Sequence, residues 1–442
     1  IMDIIHFMFI FYKRQGDNYM STKKSGEKST KLVYEFVIVV LLLVIIVLCV
    51  IIIQKRNNPD PIIKATPTPE PTGTISTEEP TQTPKPTVTP YELVEYKGRI
   101  EHIFFHSLIA FPELAFTQTD KKALVTSTWF KDFVTVSEFK KILQALYNDG
   151  YMLINANDIF EERTVDGVKR YEVKTFLFPK NKKPLIMSFD DTNYDSNKLG
   201  YGTVDKLILD DKGKVVTYTR MKDGREIISD DNEYIPIIDK FVEEHPDFSF
   251  NGAKGMICLT GFDGILGYRT HRDSPNKQSE SEKVKPIVKA LKDTGWYFAS
   301  HSYKHGAMAG YNVAQMRDCA QKFKNEVTPL IGETKIYVYP FGSWKTGEVQ
   351  DILYKEFGFT YFCSVGVNYY IKTRADMNYI LFQDRANIDG WTLVRNGHLL
   401  EKYKDWGTPR FPSMIVDDIY NEEERGISRQ EAMEIYSEMD NS

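Results

Sequence analysis

The sequence predicts an α/β protein in which parallel β-strands alternate with α-helices. Short apolar runs recur between residues 101 and 383, and stretches with helical periodicity separate most of them. Such alternation is typical of βα units that build a parallel sheet or barrel. Two of the runs end in carboxylates or imidazoles, which a barrel would gather on the face where its strands end.

The individual elements follow from the same patterns. Thr135, followed three residues later by Glu138, predicts a capping box at the start of a helix that ends at Gly150. The β-rich stretch 201–228 contains turn signals and predicts a β-hairpin inserted between barrel elements. The predicted strands are 101–109, 184–189, 255–260, 296–300, 335–339, 359–364 and 379–383, and the further helices are 232–244, 282–294, 313–330 and 346–357.

The first ninety residues lack the composition of a globular domain. Residues 36–53 are apolar and long enough to cross a bilayer as a helix, and the lysines before this run favour a cytoplasmic tail over residues 1–35. We therefore predict a single-pass signal anchor in the cell membrane, with a cleaved signal peptide as the competing interpretation. Residues 54–90 are rich in Pro and Thr and predict an extended linker. Residues 91–442 are then predicted to form one folded domain outside the cytoplasm.

Composition excludes several classes of function. The formal charge of −5 is spread without a basic stripe, which predicts no nucleic-acid partner. Four scattered cysteines cannot form a disulfide framework or a cysteine-based zinc site, and Cys258, Cys319 and Cys363 are predicted to be buried free thiols. The acidic segment 417–442 predicts a solvated terminal helix or disorder. The oligomeric state is not defined by the sequence.

Side chains suited to a metal site follow two of the predicted strands. Asp190 and Asp191 come after the apolar run 184–187, and His301 and His305 follow the strand 296–300. One carboxylate with two imidazoles can hold a catalytic metal and leave a position open, and a second carboxylate beside it can accept a proton from water. The sequence therefore predicts metal-assisted hydrolysis. Zinc, cobalt and nickel all accept such ligands.

Three motifs resemble those of the polysaccharide deacetylase family, the NodB-homology carbohydrate esterases. Ser188–Asp191 is similar to the first family motif, His301–His305 to the second and Tyr339–Gly342 to the third. The resemblance extends over about residues 99–391 and favours a clostridial-type, membrane-anchored branch. It implies a distorted (β/α) barrel with fewer than eight complete units.

The resemblance also implies a role for each motif residue. Asp190 would be the general base. Asp191, His301 and His305 would bind a divalent metal, with zinc as the leading candidate, and the backbone amide at Phe341 would help to stabilise an oxyanion.

Two family features lack a direct counterpart. The third motif has Tyr339 and no Arg ahead of its Pro, so we predict Arg385, near the end of the strand 379–383, as the tether of the base; a structural ion pair is the alternative. No strand ends in the Leu-x-His of the fifth motif. The general acid is then His106, after the first apolar run, or His398, and a buried structural histidine is the alternative for His106.

Together these observations predict an enzyme that uses a divalent metal to remove N- or O-linked acetyl groups from an acetylated polysaccharide of the cell envelope or extracellular space. Two other hypotheses stay open. One is a carbohydrate-binding protein of the same fold with weakened catalysis, and the other is a metal-dependent amidase that acts on a non-sugar substrate. All three predict a bound metal.

Overall fold

The computed structural model describes residues 91–366, 370–395 and 411–440. The chain divides into two units, Ile1–Gln82 and Thr83–Ser442, and the first lies outside the described residues. The predicted tail, membrane helix and linker also lie outside them and stay predictions, as does His398. Within the described residues, no helix combines the length and the apolar character needed to cross a membrane.

The described residues form β-strands that fall into one large sheet and three small ones. The strands are β1 (Leu93–Glu95), β2 (Glu101–Phe105), β3 (Tyr151–Leu153), β4 (Phe160–Val165), β5 (Val168–Val173), β6 (Leu177–Pro179), β7 (Lys183–Asp190), β8 (Lys206–Leu209), β9 (Val215–Arg220), β10 (Glu226–Ser229), β11 (Met256–Leu259), β12 (Tyr297–Ser300), β13 (Ile336–Val338), β14 (Tyr361–Val365), β15 (Lys372–Arg374) and β16 (Ile380–Asn387).

Helices connect the strands and continue past the last of them. They are α1 (Pro112–Ala115), α2 (Lys121–Thr126), α3 (Thr128–Asp132), α4 (Val136–Asn148), α5 (Tyr234–Glu244), α6 (Lys277–Asp293), α7 (Val313–Glu326), α8 (Thr328–Ile331), α9 (Glu348–Lys355), α10 (Gly390–Arg395), α11 (Val416–Ile419), α12 (Glu422–Arg425) and α13 (Arg429–Asp440).

Seven strands form a closed parallel barrel, which confirms the predicted (β/α) barrel. Its order is β11, β12, β13, β14, β16, β2 and β7, and β7 pairs with β11 to close it. The first and last barrel strands meet where Ile103 pairs with Ala386. All residues of β2, β11, β12 and β13 are buried, as expected for parallel strands covered on both faces. The C-terminal ends of these strands share one face.

The predicted capping box explains where the helix α4 begins. The Thr135 hydroxyl accepts a hydrogen bond from the Glu138 amide at 3.3 Å, and the Glu138 carboxylate accepts one from the Thr135 amide at 2.9 Å. The buried face of the helix carries Phe139, Ile142, Leu143 and Leu146, which pack against the barrel core.

Several predicted boundaries differ from the structure. The strand predicted over 101–109 ends at Phe105, and the one predicted over 379–383 continues to Asn387. The helix predicted over 313–330 is divided at Val327, one residue before a turn that contains Pro329. The inserted hairpin is a three-stranded antiparallel sheet in which β9 pairs with both β8 and β10. A second hairpin, β4 with β5, is not predicted by the sequence analysis.

The predicted terminal helix is present as α13, but the described part of the segment is neither disordered nor wholly solvated, because several of its side chains are buried. Arg425 is fully buried and donates hydrogen bonds to Glu138 at 2.7 and 2.8 Å. It also donates to the carbonyl oxygens of Phe130 and Phe133 at 3.0 and 2.9 Å. The Tyr436 hydroxyl donates to the Val125 carbonyl at 2.7 Å. The segment is therefore part of the folded unit, against α2, α3 and α4.

Candidate metal centre

Asp191, His301 and His305 meet at the C-terminal face of the barrel. One potential ligand atom from each lies within 4.8 Å of the others, and this is the one such group of three in the described part of the chain. The His305 Nε2 atom is 3.5 Å from the Asp191 Oδ2 atom, and the two imidazole rings are 4.9 Å apart between centroids. Asp191 follows β7 and the histidines follow β12. β11 lies between these two strands, and the register of the three strands places their C-terminal ends at the same level.

The His301 ring is held in one orientation. Its Nδ1 atom lies 3.0 Å from the Val338 carbonyl oxygen, so Nδ1–H donates and the lone pair of Nε2 points away from that bond. Burial lowers the pKa of His301 to about 4, although the nearby carboxylates of Asp190 and Asp191 oppose the shift. The imidazole is therefore neutral at physiological pH, which is the form that binds metals.

Asp190 carries the second carboxylate of the site and is paired with Arg385. Its two oxygens accept hydrogen bonds from Nη1 and Nη2 of Arg385, both at 2.8 Å, in a bidentate pair. Burial alone would raise the pKa of Asp190, but the charge and hydrogen bonds of Arg385, together with the nearby imidazoles of His301 and His106, outweigh burial and hold the pKa well below its ordinary value. The Asp190 Oδ2 atom is 3.6 Å from His301 Nε2, so this carboxylate lies beside the three candidate ligands.

The Arg385 side chain is itself fixed inside the barrel. It is fully buried on β16, and its remaining hydrogen bonds go to the Ser188 hydroxyl at 3.1 Å and the Ser364 carbonyl at 3.3 Å. The guanidinium lies over the Phe104 ring at 4.1 Å. Ser188 in turn contacts the buried His102 at 2.9 Å. These buried contacts of Arg385 and Ser188 therefore hold the Asp190 carboxylate in position from inside the barrel.

Several site residues have left-handed backbone conformations that are uncommon outside glycine. Asp191, Ser302, His305 and Phe341 have φ values of 57, 62, 51 and 57°. Each such residue costs on the order of 1 kcal/mol, and residues of this kind concentrate at functional sites. In the second motif the Ser302 hydroxyl offsets part of the cost, because it accepts a hydrogen bond from the His305 amide at 3.0 Å.

Phe341 lies next to the candidate ligands. Its ring is 4.6 Å from the His305 ring and is 71% exposed. The turn that contains it is closed by hydrogen bonds from Gly342 to Tyr339 and from Ser343 to Pro340, whereas the Phe341 amide forms no hydrogen bond with the described residues. This amide is available to a bound group.

His106 follows β2 at the same end of the barrel. Its Nδ1 atom lies 2.9 Å from the Asp132 carbonyl oxygen, and its ring packs against Phe133 at 5.6 Å. The His106 ring is close enough to lower the pKa of both Asp190 and Asp191. It is half-buried, so its Nε2 atom is the one left for a ligand or a proton transfer.

Two residues that the sequence analysis missed support the loops of the site. Tyr303 is buried within the second motif, and its hydroxyl donates to Glu326 at 2.6 Å. Gly261 lies against the Tyr303 ring, where a Cβ atom would approach within 2.5 Å. Glu233 is buried below the loop after β2, and its carboxylate accepts hydrogen bonds from the Leu108 amide at 3.2 and 3.3 Å. Burial raises the pKa of Glu233 to about 8.

The donor set fits a divalent metal of the zinc type. Asp191 offers a carboxylate oxygen and the two histidines offer imidazole nitrogens, and the hydrogen bond from His301 to Val338 is the kind of support that metal-binding histidines have. Asp191 and His305 are 16% and 22% exposed, so the site is open to solvent on one side. Asp190 lies beside the ligand set without belonging to it.

Comparison with known proteins gives likenesses of fold only. No protein-family model and no curated protein matches the chain. A candidate polysaccharide deacetylase of Bacillus anthracis is 12% identical with a TM-score of 0.37, and the match covers 67% of this chain and 66% of that one. The deacetylase PplD of Streptococcus pyogenes, solved with acetate, is also 12% identical with a TM-score of 0.37, covering 66% of this chain and 93% of that one.

A third solved structure has a different description. The BA3943 protein of Bacillus anthracis, a CE4 family pseudoenzyme, is 19% identical with a TM-score of 0.21, and the match covers 29% of this chain and 37% of that one. The chain therefore spans less than two thirds of the first and third of these structures. At these values the comparisons assign no activity or substrate to this chain.

Proposed function

We propose that this protein is a metal-dependent hydrolase that removes acetyl groups from a polysaccharide of the cell envelope or extracellular space. The observation that carries the proposal is the placement of Asp190 beside Asp191, His301 and His305, with Arg385 as its bidentate partner. Three side chains can thus bind a metal, and the ionised carboxylate of Asp190 lies next to them without being one of the ligands. The resemblance of the three motifs to polysaccharide deacetylases supports acetylated sugars as the substrate class.

Asp191, His301 and His305 would hold the metal. When bound, a divalent metal supplies Lewis acidity, which acidifies water and polarises a carbonyl group. Asp190 stays ionised because Arg385 holds its pKa low, so it is ready to accept a proton over the whole physiological range. The same pairing fixes the carboxylate in one position, which favours proton transfer from a correctly placed water molecule.

The residues of the chain divide the reaction into two proton transfers. As water adds to the acetyl carbonyl carbon, Asp190 accepts the water proton and the Phe341 amide donates a hydrogen bond to the developing oxyanion. His106 then donates a proton to the leaving amine or alcohol as its bond to the carbonyl carbon breaks. The products are acetate and a sugar with a free amino or hydroxyl group. Arg385 takes the place of the Arg that the third motif lacks.

The full proposal also includes the cellular position of the enzyme. An anchor at residues 36–53 and a linker at 54–90 would carry the catalytic domain on the outer side of the cell membrane, where envelope glycans are found. The metal is proposed to be zinc, with cobalt and nickel as alternatives, and the clostridial-type branch remains a proposal.

Acetate release from acetylated glycans is the direct test. The purified protein should release acetate from N- or O-acetylated oligosaccharides, lose this activity with a chelator and regain it with Zn²⁺. Asp190→Asn keeps the size of the side chain but removes the charge, so acetate release should fall by about 10³-fold or more. Asp318→Asn, a surface substitution on α7, is the matched control.

The other hypotheses are outcomes of the same experiment. Release of acetate from small amides but from no glycan would favour an amidase with a non-sugar substrate. Glycan binding without acetate release at any metal loading would favour a carbohydrate-binding protein. Activity that survives Asp190→Asn would contradict the proposed base.

A further inference from the structure

Exposed aromatic side chains gather on the face of the barrel that holds the candidate metal centre. In the described part of the chain, the aromatic residues among the exposed large hydrophobic side chains are Tyr201, Phe262, Phe341 and Tyr370. They lie in the connections that follow β7, β11, β13 and β14. Burying an aromatic ring is favourable, and these four rings are exposed to water. Their presence on one face of the barrel therefore indicates a surface that a ligand covers.

A row of aromatic rings leads from His106, at the same end of the barrel as the candidate metal centre, to Tyr201. Phe133 lies 5.6 Å from the His106 ring, and Trp129 lies 5.2 Å from Phe133. Trp129 then stacks on Tyr201 at 5.5 Å with an angle of 11° between the planes. Trp129 thus stacks on one face of the Tyr201 ring, the ammonium of the exposed Lys222 lies 5.8 Å from the ring centroid, and Tyr201 as a whole is 50% exposed.

The backbone around Tyr201 is fixed rather than free. The Gly202 carbonyl accepts hydrogen bonds from the amides of Ala110 at 2.8 Å and Phe111 at 3.0 Å, in the connection that begins at His106. Gly202 has a φ of 101°, and a Cβ atom there would lie 2.8 Å from both the Ala115 Cβ atom and the Phe111 carbonyl oxygen. This position therefore requires glycine. The Tyr201 backbone is therefore already in place before a ligand binds, which reduces the conformational entropy that the protein loses on binding.

We propose that Tyr201, backed by Trp129, is a stacking platform for a sugar ring that lies along the glycan chain from the ring carrying the reacting acetyl group. A pyranose ring has an apolar C–H face that packs on an aromatic ring while its hydroxyl groups stay in water. Tyrosine suits this contact, because it is apolar in the ring and polar at the hydroxyl. The proposal rests on the proposed function and specifies its substrate as a chain of several rings.

Phe341 supplies a second aromatic contact from another part of the face. It lies beside His305, after β13, whereas the row to Tyr201 begins at His106, after β2. β14 and β16 separate these two strands around the barrel. A glycan that touches both Tyr201 and Phe341 must cross the candidate metal centre, so the enzyme should act within a chain and favour long substrates.

Chain-length dependence tests this proposal in the full-length protein. The Kd is measured by calorimetry for a disaccharide and a hexasaccharide of N-acetylglucosamine, with Asp190→Asn as the background that prevents turnover. Tyr201→Ala should raise the Kd of the hexasaccharide about tenfold, the scale of one aromatic contact, and that of the disaccharide less than twofold. Tyr201→Phe keeps the ring and should keep the hexasaccharide affinity within about twofold of the parent.

Leu177→Ala is the matched control, because Leu177 is also exposed, at 56%, but lies on β6, which precedes β7 and is therefore on the side where that barrel strand begins. Its Kd values should equal those of the parent. Equal weakening of both oligosaccharides by Tyr201→Ala, or no weakening of either, would overturn the platform. So would failure of the parent to bind any glycan. The proposed function fails on a different result, the absence of acetate release by the native protein whatever the chain length.

Discussion

Arg385 pairs with Asp190 from a strand far along the chain, and we propose that it takes the role of the Arg that the third motif lacks. The third motif lacks an Arg, yet a guanidinium reaches Asp190 from β16 with two hydrogen bonds of 2.8 Å. The replacement depends on barrel closure, because β16 lies next to β2, and β2 next to β7, which carries Asp190. The planar fork of Arg matches a carboxylate in a way that the single ammonium of Lys does not.

Arg385→Lys should therefore reduce activity while keeping the positive charge. The loss of the bidentate pair leaves Asp190 less well positioned, and we expect kcat for acetate release to fall about a hundredfold with KM nearly unchanged. The measurement is steady-state kinetics on protein whose circular dichroism matches the native spectrum. Arg317→Lys on the exposed surface of α7 is the control. A similar fall of kcat in Arg317→Lys, or no fall in Arg385→Lys, would contradict the proposal that Arg385 positions Asp190.

Glu233 predicts a pH dependence of stability. Its pKa in the folded protein is about 8, above the ordinary value of 4.5, because it is buried. Between these values the folded state binds more protons than the unfolded state, so this stabilisation is complete below about pH 4.5 and is lost as the pH rises through about 8. In Glu233→Gln the free energy of unfolding in urea should decline less between about pH 5 and about pH 8. The exposed Glu243→Gln should follow the native protein.

The sequence could identify the motif residues but not the side chains that support them. Asp190, Asp191, His301 and His305 stand directly after apolar runs, so their neighbourhood follows from strand alternation. Glu233 and the stacked pair of Trp129 and Tyr201 have no such local pattern. Their roles depend on which loops meet in space, and a single sequence contains no direct record of that.

At the scale of elements, α12 contributes one buried residue that holds two other helices in place. Arg425 pairs with Glu138, the capping residue of α4, and binds the carbonyl oxygens of Phe130 and Phe133 on either side of Asp132. The Asp132 carbonyl is the one that His106 contacts. The C-terminal segment therefore supports the position of a candidate catalytic histidine through α3.

Arg425→Met should destabilise the protein strongly. It leaves the Glu138 carboxylate buried without its cationic partner, and the cost of breaking a buried pair in this way is about 3–5 kcal/mol. The free energy of unfolding in urea measures the effect. By comparison, Arg317→Met removes an exposed pair with Glu356 and should cost about 0–1 kcal/mol. Equal effects of the two substitutions would refute a structural role for the buried pair.

The error over the C-terminal segment has a physical cause. Its acidic composition is typical of a solvated surface, whereas its two arginines, Arg425 and Arg429, and a few apolar residues are buried. Composition averages over both faces of such short helices. The β4–β5 hairpin was missed for a related reason, since most of its residues are exposed and its alternation is weak. The long amphipathic helix α4 had both a cap and a clear apolar face and was predicted well.

At the scale of the whole molecule, metal binding should stabilise the fold. The three candidate ligands come from loops after two different strands, and the unfolded chain has no comparable arrangement of them. At a free metal concentration about 100-fold above Kd, binding contributes about 2.7 kcal/mol, which should raise the Tm by several degrees. Differential scanning calorimetry with and without Zn²⁺ measures this.

The increase in Tm on addition of Zn²⁺ should disappear in variants that lack one of the three metal-binding side chains. Asp191→Asn and His301→Gln should each lose most of the increase in Tm caused by Zn²⁺, whereas Asp318→Asn should keep it. An unchanged shift in both ligand variants would mean that the metal binds elsewhere.

The pairing of β2 with β16, the first and last strands of the barrel in the sequence, has a consequence for biosynthesis. Asp190 and Arg385 are 195 residues apart in the chain, and Ile103 finds its partner at Ala386. A nascent polypeptide therefore cannot pair Asp190 with Arg385 until the ribosome has passed residue 386. A chain that has not reached this point in its synthesis would be inert toward the proposed substrate.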